Sequence, residues 1–179
     1  MRVFVALASD QLEGEYVDQV CENLTCAPLH HPFDRHLTLC FLGERSEIDV
    51  CTLVNKIESI YNKKLFKPLE WESLKVADFP PDKAKVWAII GEKNSELMSF
   101  QQQIAQICEA ESTYEFTPHV SLAYIKHPTN LTRVFERDWL FDQLVLYRSL
   151  SQEERNHFDT KGGWAKPRYE ILKRWDLKA

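Results

Sequence analysis

Two short segments carry side chains suited to proton transfer. His36-Leu37-Thr38 and His119-Val120-Ser121 each set an imidazole and a hydroxyl two residues apart, and a leucine follows each. Both lie in apolar runs that read as strands, where residues i and i+2 share a face. His36 and Thr38 therefore point one way, and Leu37, Leu39 and Phe41 point the other, into a core. His119 and Ser121 oppose Val120 and Leu122 in the same manner. An imidazole gives or takes a proton near neutral pH. Two of them supply both a base that activates water and an acid that protonates a leaving oxygen, each role typically worth about 10²–10⁴ in rate. The hydroxyls of Thr38 and Ser121 can donate to non-bridging phosphoryl oxygens, where negative charge builds. Cleavage of a cyclic phosphate needs this set of groups and no metal. One such motif has little weight alone; two in matching contexts carry the reading.

The elements around the motifs repeat as well. Val3 to Leu7 is a short β-branched run, and Leu37 to Leu42 is a second strand closed by Gly43. Between them, Ser9-Asp10 caps a helix with Leu12, Tyr16, Val17, Val20 and Leu24 at helical spacing. Ser46 begins a longer helix, striped by Ile48, Cys51, Leu53, Val54, Ile57 and Ile60. Residues 64–78 look extended, and Val86 to Ile90 pairs with them as a hairpin across Pro80-Pro81-Asp82. Asn94 opens a helix running to about Ala110. Val120 to Ile125, Leu144 to Tyr147 and Tyr169 to Leu177 are later strands. The Gly-, Lys- and Glu-rich stretch around 151–167 reads as a mobile loop. The two motif histidines stand 83 residues apart, each opening a strand after a helix and a short polar loop. That spacing predicts a duplicated α/β unit whose two lobes face each other.

Composition narrows the class. At 179 residues, with 44% hydrophobic and 27% charged residues, the chain is ordinary globular sequence and long enough for one real core. A net charge of -5 excludes a general nucleic-acid sponge. Residues 120–179 nevertheless hold 11 Lys+Arg against 8 Asp+Glu, a weak basic bias. The five cysteines are odd in number and form no Cys-x-x-Cys pair, so neither a disulfide framework nor a zinc site is expected, and a cytoplasmic protein is. The N-terminus turns polar too soon for a signal peptide, and no apolar run approaches a membrane span.

With these residues in place, the chain resembles the 2H phosphoesterase superfamily, which carries two His-x-Thr/Ser-x motifs. Arg2 to Ala6, His36 to Glu44, Asp78-Phe79-Pro80 through Val86-Trp87, and Tyr169 to Leu177 are similar to its branch of RNA 2',3'-cyclic phosphodiesterases, also called 2'-5' RNA ligases. The likeness covers nearly the whole chain in order. It implies an α+β fold, with residues 1–179 forming one bilobal domain: two antiparallel sheets flanked by helices, and a central cleft with one motif from each lobe. It implies hydrolysis of a 2',3'-cyclic phosphate to a 2'-phosphate without metal or cofactor. His36 would then be the proton donor to the leaving 3' oxygen and His119 the proton acceptor. The implied partner is RNA with a cyclic phosphate end, or a small cyclic nucleotide, met by a monomer away from any membrane. The reverse reaction, 2'-5' ligation, uses the same groups and stays open. So does a nucleotide-binding module of weak activity.

One position departs from the pattern. Many members carry Arg five residues after the second histidine, and here that residue is Tyr124. Its phenol donates one hydrogen bond and carries no charge at neutral pH. Strict alternation would aim it away from the histidines; Tyr124 and Lys126, a flexible point charge two residues on, are the candidate substrate-binding residues here. His30-His31, flanked by prolines, reads as a solvated loop, and His127 and His157 as surface. Phe4 is placed near the cleft, whereas Phe79, Trp87 and Trp164 read mainly as core. Lys161, Lys166 and Arg168 border the loop before the last strand and read as solvated.

Overall fold

Antiparallel pairing throughout organises the chain, as seen in a computed structural model that describes residues 1–24, 27–63, 66–111 and 115–178. In order along the chain the elements are β1 (Arg2–Ala8), α1 (Glu15–Val20), β2 (Leu37–Glu44), α2 (Glu47–Lys63), β3 (Leu69–Phe79), β4 (Val86–Gly91), α3 (Ser95–Ile107), β5 (His119–Tyr124), β6 (Thr132–Phe141), β7 (Gln143–Ser149), α4 (Gln152–Asn156) and β8 (Tyr169–Asp176). The sheet runs β6-β3-β4-β5-β2-β1-β7-β8. Among the described residues, its two four-stranded halves are hydrogen-bonded strand to strand where Leu37 pairs with Val120. The expected two sheets are thus two antiparallel halves joined at that residue pair, and each motif strand is the inner strand of its half.

One face of the sheet is covered by helices. Leu53 and Ile57 of α2, Leu97, Phe100 and Ile104 of α3, and Leu12 and Val17 pack there with Val3, Val5, Leu7, Leu37, Val120, Trp71 and Trp87. Both long helices start where their sequence provides a cap. The Ser46 hydroxyl accepts from the Asp49 amide at 3.1 Å, and the Asn94 side chain accepts from the Leu97 amide at 2.8 Å. The first helical stretch is broken where one continuous helix was expected. Ser9 caps a 3-10 turn at Asp10–Glu13, and α1 starts only after Gly14. The Tyr16 ring folds back so closely that a Cβ at position 14 would lie 2.2 Å from it, so a larger residue there would have to displace the ring.

Two further expectations are revised. The stretch 151–167 is not a plain mobile loop. It holds α4, whose capping box joins Ser151 and Glu154, and it is tied down by Trp164 Nε1 donating to Asp18 (3.0 Å) and the Ala165 amide donating to the Leu29 carbonyl (2.7 Å). Strand β6 has no counterpart in the sequence reading. Of the extended stretch 64–78, residues 64 and 65 lie outside the described residues, as does Cys26. Cys21, Cys40, Cys51 and Cys108 are free thiols. Among the described residues no helix is long and apolar enough to cross a membrane.

Candidate active site

The Leu37–Val120 pair fixes the relation of the two motifs. His36 and Thr38 flank Leu37, and His119 and Ser121 flank Val120, so this pair brings the two motifs together. Leu37 and Val120 are fully buried in the helix-covered core, so the two imidazoles and two hydroxyls share the other face. Thr38 and Ser121 are half-buried, and among the described residues no protein group engages either hydroxyl.

Each histidine is held in the same way. His36 Nδ1 lies 2.6 Å from the Asp34 carbonyl, and His119 Nδ1 lies 2.9 Å from the Thr117 carbonyl. A carbonyl only accepts, so Nδ1 carries the hydrogen and Nε2 is left to take or give a proton. Aromatic rings fix the ring planes. Phe4, Tyr147 and Tyr169 surround His36 at 4.9, 5.1 and 5.3 Å, and Phe79 stacks on His119 at 4.1 Å. Phe4 therefore stands where it was placed, and Phe79 is part of the site rather than plain core. Burial pushes His36 down to about 4, with the nearby His119 adding to the effect, and burial lowers His119 as well. In both cases burial favours the neutral imidazole.

β-bulges correct two side-chain assignments. Ala6 pairs with Thr38 and Val5 with Cys40, so Leu39 is an extra residue. Ala88 pairs with Ser121 and Trp87 with Ala123, so Leu122 is its equivalent in β5. Each bulge reverses the alternation after the motif. Phe41, expected in the core, is instead 69% exposed and 5.7 Å from Phe4. Tyr124, expected to point away, returns to the histidine face, where its hydroxyl lies 3.3 Å from that of Tyr169. Both are the fifth residue after their histidine. Lys126 is exposed beyond the end of β5, and among the described residues no hydrogen bond or ion pair ties it to the histidines.

His30 overturns the solvated-loop reading of its pair. It is 2% exposed, its amide donates to the Leu122 carbonyl at the bulge (2.6 Å), and its ring packs 4.9 Å from Tyr124. Arg168 is also not a solvated loop residue: half-buried, its Cζ lies 4.5 Å over the Tyr124 ring. Lys166 Nζ donates to the Asn156 carbonyl at 3.4 Å, and His127 and His157 are exposed as expected. Among the described residues no three His, Cys, Asp or Glu side chains converge as a metal site.

Asp34 links this site to β8. Its carbonyl takes His36 Nδ1, while its carboxylate accepts the Arg168 amide at 2.8 Å. Burial raises the carboxyl from its usual 3.8 to about 6, against the opposing pull of backbone amides and Arg168. Between those two values the folded state binds more protons than the unfolded one, so stability falls as pH rises from about 4 to 6. The loss is on the order of 2–3 kcal/mol. Asp34→Asn keeps an acceptor for the Arg168 amide and never ionises. It is expected to be more stable than the parent at pH 8 by roughly 1–3 kcal/mol, measured by urea unfolding at pH 4 and pH 8. An unchanged pH slope would remove Asp34 from this account.

Comparison with known proteins agrees at the level of architecture. No family model and no curated protein matches the sequence. Solved structures do. TT0787 of Thermus thermophilus superposes with a TM-score of 0.75 at 20% identity, covering 100% of this chain and 99% of its own. A phosphoesterase superposes with a TM-score of 0.74 at 17% identity, covering 99% and 98%. E. coli LigT complexed with 3'-AMP superposes with a TM-score of 0.72 at 18% identity, also covering 99% and 98%. The chain has the fold of these proteins over its full length, as the sequence resemblance implied.

Proposed function

We propose that this chain is a phosphoesterase of the two-histidine kind and that it hydrolyses the 2',3'-cyclic phosphate of RNA or a nucleotide to a 2'-phosphate. The observation that carries the reading is the Leu37–Val120 bridge, which puts two imidazoles and two hydroxyls on one face with both Nε2 atoms unencumbered. In this mechanism His119 Nε2 takes a proton from water as it attacks phosphorus. His36 Nε2 gives a proton to the departing 3' oxygen. Thr38 and Ser121 donate hydrogen bonds to the non-bridging oxygens as their charge grows. The protein groups supply acid, base and anion contacts, so the chemistry calls for no metal. Burial bears hard on His36, so the bound phosphate anion has to supply the charge that keeps a proton there.

The test is turnover of nucleoside 2',3'-cyclic phosphates and of a short RNA with a cyclic phosphate end, in EDTA, with the product read by phosphorus NMR. A 2'-phosphate product is expected. Because burial lowers both histidines, the singly protonated pair grows as the solution is acidified. kcat/KM should therefore rise as pH falls from 8 to 6, by up to about tenfold per unit where one proton controls the rate. The kcat profile should lie at higher pH, because the bound anion favours protonation. A 3'-phosphate product, or a strict need for added divalent metal, would defeat the proposal.

A further inference from the structure

The β7–β8 connection carries two guanidinium groups that make no ion pair among the described residues. Several nearby cations are paired, Arg148 with Glu154 and Glu170, Arg35 with Asp18, and Lys173 with Glu58, while Lys166 reaches only the Asn156 carbonyl. Arg155 of α4 and Arg168 just before β8 enter no ion pair among the described residues. Both are half-buried, and the Nε of each is buried without a hydrogen-bond partner.

The two groups are close to each other and to the histidine face. Burial, and then the positive charge of Arg168, makes Arg155 easier to deprotonate than a free guanidinium. Arg168 lies over the Tyr124 ring, Tyr124 reaches Tyr169, and the edge of the Tyr169 ring meets His36. The negative group facing them is Asp34, whose carboxylate already accepts the Arg168 amide. His30, against Tyr124, also has an unpartnered Nε2, and burial keeps it neutral. Asp34 offsets part of this charge, but its carboxylate bonds the Arg168 amide and neither guanidinium, so among the described residues the two forks are left for a further anion. A guanidinium fork matches phosphate oxygens in bidentate geometry.

We propose that Arg168, with Arg155 beside it, binds a phosphate of the substrate at the Tyr124–Tyr169 edge of the histidine face. The assignment rests on the phosphoesterase reading and extends it by naming the cationic contact that neither motif contains. It also displaces Lys126 from that part. The bound group is either the reacting cyclic phosphate or a second phosphate further along an RNA strand, and two substrates separate these sources.

The experiment measures kcat/KM of Arg168→Gln, Arg155→Gln and Arg168→Lys on adenosine 2',3'-cyclic phosphate and on a short RNA with a cyclic phosphate end. Circular dichroism and thermal unfolding verify the fold of each. Arg168→Gln is expected to lose roughly 10–100-fold, the value of a charge-assisted contact, with Arg155→Gln losing less and Arg168→Lys recovering part. An equal loss on both substrates assigns the reacting phosphate. A loss confined to RNA assigns a second phosphate. Rates within twofold of the parent on both substrates, for both Gln variants, overturn the proposal. If the parent turns over neither substrate, the phosphoesterase reading has failed on its own. Titration with inorganic phosphate then decides the anion site: binding by the parent that Arg168→Gln abolishes upholds it, and no binding by the parent overturns it.

Discussion

His36→Asn and His119→Asn are each expected to lower kcat on a 2',3'-cyclic phosphate by about 10²–10⁴ while leaving the protein folded. Asparagine is the informative replacement. Its side-chain nitrogen can take the place of Nδ1 and still donate to the Asp34 or Thr117 carbonyl, and only the Nε2 function is lost. Alanine is a blunter probe at His36, because it would also remove a ring packed among Phe4, Tyr147 and Tyr169. The double variant should be little slower than the worse single one, since an acid and a base that act in one transition state do not contribute independently. Single-turnover rates with circular dichroism on each variant make the measurement. A folded His119→Asn protein with more than about a tenth of the parent rate would mean that this imidazole is no general base.

The shared face of each motif's imidazole and hydroxyl was legible in sequence because it depends on local rules. An imidazole and a hydroxyl two residues apart must share a strand face, and apolar neighbours must take the other. What lay outside those rules was set by partners. The bulges at Leu39 and Leu122 exist because β1 and β4 run past them in a shifted register, and no feature of either leucine announces this. Phe41 and Tyr124 were misplaced for that reason alone. His30 was missed because its burial comes from the β5 bulge against which its backbone pairs. Arg168 gained its position from long-range ties, above all its amide to Asp34. The resemblance offered a signal, though: Tyr124 stands where many similar sequences carry Arg, a reason to look for another cation that folds back.

Strand β6 escaped for a different physical reason. Its alternation is real, but arginines occupy inward positions. Arg133 reaches the Val20 carbonyl at 3.2 Å, and Arg137 lies 3.7 Å over the Tyr16 ring. Their apolar stems cover the core while the charged heads find backbone or aromatic partners. Outward, Val134 is 78% exposed. A strand with inward charges and an outward valine reads as a polar loop, and such charges are a usual protection for a sheet edge.

The buried end of that edge carries the largest expected loss of stability. Trp139 is 1% exposed, pairs across the sheet with Trp71, and packs near Tyr16 and Phe135, each at 6.0 Å. Its Nε1 donates to the Ser73 hydroxyl at 2.9 Å, which itself donates to the Phe135 carbonyl at 2.7 Å. Trp139→Ala removes an indole from a packed core and should cost about 3–5 kcal/mol. For a chain of this length that corresponds to a melting temperature lower by roughly 6–20 °C. Trp139→Phe keeps most of the volume and loses the donor to Ser73, so it should cost less than half as much. Since β3 and β4 stand between β6 and the motif strand β5, the folded fraction of either variant should keep kcat/KM within twofold of the parent at 20 °C. Thermal unfolding followed by circular dichroism checks the first expectation and initial rates the second. A Trp139→Ala protein that melts within about 3 °C of the parent would mean that β6 is not cooperative with the rest of the sheet. Its pairing to β3 would then be a local contact and no part of what holds the histidine strands in place.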